Sequence, residues 1–137
     1  MYRENTFHYD NAQVKMLVAN TLDDVLAAAN PEFGRKIALM KLDVQGAELD
    51  VLTGGKNSLE RTDALIVETA MFAYNAKAPL FSHVVEFLEK RDFVVIDIIE
   101  LIEMPCKLTS HVDLLFAKRG GFLHSYYNET IKSSLKK

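Results

Sequence analysis

The sequence predicts an α/β domain: a mostly parallel sheet with helices between its strands and an antiparallel hairpin at its C-terminal end. Three observations predict it. First, Lys41-Leu42-Asp43-Val44-Gln45-Gly46-Ala47-Glu48-Leu49-Asp50-Val51-Leu52 opens with strand-like alternation after the apolar run Ile37-Ala38-Leu39-Met40. At Gly46 the pattern takes a helical period, with Leu49 and Leu52 three apart. Second, Ala64-Leu65-Ile66-Val67 is a continuous apolar run between Asp63 and Glu68, the pattern of a strand covered on both faces. Third, the apolar runs 93–102 and 112–117 are joined by a link too short for a crossover helix, so they must pair antiparallel.

Composition bounds the rest. A chain of 137 residues suits one domain with one core. With 49% hydrophobic and 26% charged residues it has the make-up of an ordinary globular protein. A net charge of -3 gives no reason to expect nucleic acid as a partner. The single cysteine, Cys106, excludes an internal disulfide framework and a cysteine-only zinc site. The four histidines have no metal-ligand spacing. No apolar run is long enough to span a membrane, and the polar start Met1-Tyr2-Arg3-Glu4-Asn5 lacks a signal-peptide core. A cytoplasmic protein without a membrane partner is expected.

Taken in order, residues 1–13 are polar and irregular, and 14–18 read as a short strand. Thr21 is an N-cap with Asp24 in the capping-box position; Leu22, Val25, Leu26 and Ala29 form the apolar stripe of the helix it starts, and Pro31 follows its end. The central strand runs over 37–44 and its helix is stopped at Gly54-Gly55. Residues 56–62 make a short helical turn and loop before the strand at 64–67. Residues 71–79 form a loop carrying Phe72 and Tyr74. Ser82 then caps a helix whose apolar positions are Val84, Val85, Phe87 and Leu88. The final hairpin follows, with a core of about 14–119 and a weakly basic, helical tail over 120–137.

The chemistry gathers at the central corner. In an open α/β sheet ligands sit outside the carboxyl ends of the strands, where a strand turns into a helix. Asp43 and Gln45 end the central strand, and Glu68 ends its expected neighbour. Asp43 can orient an acceptor hydroxyl or take its proton, or it can accept bonds from the free N–H groups of the next helix. Two carboxylates side by side can share a proton, bind a cation or hold a hydroxyl. Lys41 is expected either as their neutralising partner or in a structural salt bridge. Gly46 permits the tight turn and close approach of a ligand. Glu48 suits a helix N-terminus by charge alone. His111 is an exposed loop histidine or one that reaches the crevice, and Phe72 and Tyr74 either pack or line an acceptor loop.

The segments Thr21-Leu22-Asp23-Asp24, Lys41-x-Asp43-x-Gln45-Gly46-Ala47-Glu48, Val51-Leu52-Thr53-Gly54, Val67-Glu68 and Val112-Asp113-Leu114-Leu115-Phe116 together resemble the FkbM-type S-adenosylmethionine-dependent methyltransferases. The resemblance covers roughly 14–119. It implies a partial Rossmann-like methyltransferase sheet and S-adenosylmethionine as cofactor. Asp43 and Glu68 would then be catalytic, Asp43, Gln45 and Gly46 would contact the cofactor, and Glu48, Phe72, Tyr74 and His111 would bind the acceptor. That acceptor would be a hydroxyl on a small molecule or glycan. Such enzymes open with a strand and a glycine-rich turn that holds the cofactor, and this chain contains no G-x-G. The expectation is therefore a single domain over 1–137 that corresponds to the C-terminal part of the catalytic domain. A non-catalytic binding or assembly domain that keeps the sheet is the alternative. In either case the strand at 37–44 would be an open apolar edge, suited to pairing two copies into a homodimer.

Overall fold

A computed structural model describes residues 3–4, 16–29, 35–73, 75–76 and 78–136. The elements in chain order are β1 (Arg3–Glu4), α1 (Leu22–Ala29), β2 (Ile37–Leu42), α2 (Glu48–Thr53), α3 (Lys56–Glu60), β3 (Thr62–Ala70), β4 (Asn75–Ala76), α4 (Phe81–Glu89), β5 (Phe93–Glu103), β6 (Thr109–Lys118) and α5 (Phe122–Ser134). The main sheet has the order β2-β3-β6-β5, and β1 pairs with β4 in a separate two-stranded ribbon. β2 and β3 run parallel, whereas β6 is antiparallel to β3 and to β5.

The class is α/β with a mixed sheet, and the expectation of a mostly parallel one is corrected. Only β2–β3 is a parallel pair among the four strands. The cause is where the hairpin closes. β6 folds back between β3 and β5 instead of outside β5, so β3 and β5 share a direction without touching. The length of the link shows that the hairpin is antiparallel, but not on which side of β5 it closes.

The core lies on one face of the sheet. Leu42, Val67 and Leu114 are aligned across β2, β3 and β6, with Leu65, Phe116 and Phe93 beside them. Leu52 of α2, Leu59 of α3, and Val84 and Leu88 of α4 cover this face, as the helical stripes require. Because a strand alternates its faces, burying Leu42 and Val67 sends their neighbours Lys41, Asp43, Ile66 and Glu68 to the other side.

A second organising contact joins α1 to α3. Thr21 caps α1 as expected: its Oγ1 accepts the Asp24 N–H at 3.1 Å and donates to Asp24 Oδ2 at 2.6 Å. α3 starts from Gly55, which has no side chain to cap it. Asp23 supplies the missing acceptor from α1, taking the backbone N–H groups of Asn57 and Ser58 at 2.9 Å each, and the Ser58 hydroxyl. The helices pack closely at Gly55: a Cβ there would stand 2.8 Å from Leu22 Cδ2, and that side chain would have to shift.

Several local expectations change. Residues 16–18 form no strand and are almost fully exposed, while 14 and 15 lie outside the described residues. Apolar alternation alone does not make a strand without a neighbour to bond to. The central strand stops at Leu42, two residues early, because the turn begins there. The N-cap of α4 is Leu80, not Ser82, and the His83 Nδ1 accepts the Leu80 N–H at 3.1 Å in place of a hydroxyl cap. The expected open edge is present: among the described residues β2 has β3 on one side only, and Leu39 is 52% exposed.

Burial raises the Asp23 carboxyl, but the donors from Ser58 and Asn57 outweigh it and hold the group below its ordinary value. Its contribution to stability is thus present at neutral pH and is lost as pH falls through the folded-state value. Asp23→Ala should cost about 1 kcal/mol, as for a lost N-cap. Urea unfolding at neutral pH and at acid pH should show that deficit shrinking in acid.

Candidate active site at the carboxyl edge of the sheet

The corner after β2 is built from two consecutive left-handed residues, Gln45 at φ 51° and Gly46 at φ 103°. Glycine accepts such a backbone freely, whereas a glutamine there costs about 1 kcal/mol. Glu48, in the first turn of α2, is 4% exposed and turns back into the corner. Its Oε1 accepts the N–H of Gly46 at 3.0 Å and of Val44 at 3.3 Å. A first-turn carboxylate thereby ties down the backbone of the turn as well as suiting the helix end. The turn aims the Gln45 amide at two carboxylates, and Nε2 donates to Asp43 Oδ1 at 3.0 Å and to Glu68 Oε2 at 2.8 Å.

The parallel register that sets Leu42 beside Val67 brings Asp43 to Glu68 one step further on. The row continues across the sheet, because Glu68 is paired with Asp113 and Asp113 with Glu100. Carboxylates directly opposite one another repel. Glu68 is 7% exposed. Burial first, and then the Asp43 charge beside it, push its carboxyl up to about 7. Near neutral pH Glu68 therefore exchanges a proton readily, next to a carboxylate that can share it.

Lys41 makes a structural salt bridge with Asp113 and bonds to neither member of this pair, although the Asp43 charge also acts on it. Its Nζ meets Asp113 Oδ2 at 3.3 Å, and that hydrogen bond and charge hold the ammonium above its ordinary value. Gln45, Gly46, Glu48, Glu68 and His111 line one small crevice with Ala70 and Pro79, with room for about 10 Å³. Asp43 is exposed and joins the crevice through Gln45.

The corner thus gathers Asp43, Gln45, Gly46, Glu48, Glu68 and His111. His111 lies on β6, not in a loop, with Nδ1 3.2 Å from Ser110 Oγ. Phe72 is partly exposed and does not line the crevice; Tyr74 is outside the described residues. Asp113 and Glu100 were not expected. The signal for Asp113 is a lone carboxylate inside the apolar run 112–116, whereas Glu100 reads as an ordinary outward charge. No group of three metal-binding side chains occurs among the described residues, and no helix there is long and apolar enough to cross a membrane.

The corner sets a strand-end carboxylate pair beside a crevice at the carboxyl edge of an α/β sheet. The methyltransferase FkbM domain model matches residues 2–95, and the chain belongs to that family. The match ends within β5, so His111 and Asp113 on β6 lie beyond it. No curated protein and no solved structure matches the chain.

Because the folded state raises the Glu68 carboxyl from 4.5 to about 7, it binds the proton more tightly than the unfolded chain does. Its protonation stabilises the fold below the unfolded-state value, and that contribution is lost as pH rises through about 7. The difference amounts to at most about 3 kcal/mol. Glu68→Gln should flatten the fall in stability between mildly acidic and mildly alkaline pH, measured by urea unfolding across that range. A wild-type slope that persists in the variant assigns the loss to another group.

Proposed function

We propose that this chain carries the acceptor side of an S-adenosylmethionine-dependent methyltransferase with a Rossmann-like sheet, which methylates a hydroxyl on a small molecule or glycan in the cytoplasm. Membership of the FkbM methyltransferase family supports the reaction class. The observation that carries the assignment to this corner is the Asp43–Gln45–Glu68 constellation. A hydroxyl must give up its proton as its oxygen is alkylated, and a carboxylate pair with one member titrating near neutrality is suited to take it. The oxygen would enter beside Glu68, with Asp43 stabilising the proton after transfer. Glu48 would hold the turn that aims both.

On this reading the described residues supply only part of a cofactor site. The crevice has room for about 10 Å³, the space of a single water, against the roughly 300–1,000 Å³ typical of sites that enclose such ligands. Both hydrogens of the Gln45 amide are already donated to carboxylates. What these residues offer is a proton acceptor. The same two observations favour the second reading, a binding or assembly domain without catalysis.

Two measurements separate the readings. Calorimetric titration of this chain with S-adenosylmethionine should show weak binding or none. A micromolar dissociation constant would mean that the cofactor site is complete in it. In a form of the enzyme that turns over, Asp43→Asn should keep the fold and lower kcat by roughly 100-fold, the scale of general-base catalysis. Unchanged turnover with a lower melting temperature would assign Asp43 to the turn alone.

A further inference from the structure

Gln45 occupies a left-handed position that glycine would adopt without strain, directly before a glycine that does so. Its side chain offers something glycine lacks. Asp43 and Glu68 face each other from neighbouring strands, and the charged groups around them are mostly of the same sign. Glu48 approaches from α2, Asp113 from β6 and Glu100 from β5. His111 of β6 lines the same crevice. Lys41, the nearby cation, is bonded to Asp113. The group that bridges Asp43 and Glu68 is the neutral amide of Gln45, with one hydrogen at 3.0 Å from the first and one at 2.8 Å from the second.

A strained backbone at such a site is kept when the side chain it presents has work to do there. We propose that Gln45 is a positioning residue: its amide joins Asp43 and Glu68 into one unit and favours the anionic form of that unit. This rests on the reading in which the pair receives the acceptor's proton, and it names the group that prepares the pair for it. An amide that donates to two carboxylates stabilises their charge, opposing the burial and repulsion that favour protonation. It also leaves the pair correctly spaced when the shared proton comes or goes.

The test compares the carboxyl titration of Asp43 and Glu68, followed by carbon-detected NMR, in the wild type, Gln45→Gly and Gln45→Met. Glycine removes both the amide and the strain, whereas methionine removes the amide and keeps the side-chain bulk. Losing two hydrogen bonds to charged groups should raise the midpoint of the pair by about one pH unit in both variants. Gln45→Gly should also melt no lower than the wild type. A midpoint that stays put in both variants, or moves in only one, overturns the proposal and leaves Gln45 as a residue of the turn. The titration needs neither cofactor nor turnover, so it stands or fails apart from methyl transfer. If the midpoints move while Asp43→Asn leaves turnover unchanged, the positioning role holds and the catalytic reading does not.

Discussion

The parallel register of β2 on β3 is the constraint on which the site depends. It sets Leu42 beside Val67, and β6 adds Leu114 to the same row. All three side chains are buried against α2 and α4, so a slip of one residue would turn apolar side chains outward and carboxylates inward. Hydrophobic packing therefore holds the register firmly. The residues one step further along the strands, Asp43 and Glu68, come together as a consequence. Two like charges are adjacent because the core beneath them fixes their spacing, not because they attract.

That imposed proximity governs the electrostatics of the edge. Asp43, Glu68, Asp113 and Glu100 run across the top of the sheet, and Lys41 is committed to Asp113. The repulsion is relieved in two ways. Glu68 takes up a proton near neutrality, and the Gln45 amide supplies two neutral donors. Both leave the edge responsive to protons, which a second ion pair on Asp43 or Glu68 would have suppressed. Glu48 makes the arrangement possible by accepting the backbone N–H groups of Val44 and Gly46.

The segment Thr21-Leu22-Asp23-Asp24 illustrates how a motif shared with a family can be structural. Thr21 and Asp24 cap their own helix, whereas Asp23 caps α3 beside the close approach of Gly55 to Leu22. This pairing braces the far end of α2 and α3, whose other end carries Glu48.

Much of this molecule was legible in its sequence. The change of period at the central corner marked the strand-to-helix turn. The unbroken run at 64–67 marked an inner strand, and the stripe from Val84 to Leu88 marked a helix on the core. These are local signals, written in the alternation that decides which side of an element is buried. Strand-end position likewise placed Asp43, Gln45 and Glu68 in one crevice region. What only the tertiary structure decided depends on partners far apart in the chain. The place of β6 between β3 and β5 makes the sheet mixed and brings Asp113 beside Glu68 and His111 into the crevice. That in turn gives Lys41 its salt-bridge partner, Asp113. No pattern within residues 93–118 specifies this, because a hairpin can close on either side of its first strand. The packing of Val112, Leu114 and Phe116 against the core selects one side, and that choice is a property of the whole fold.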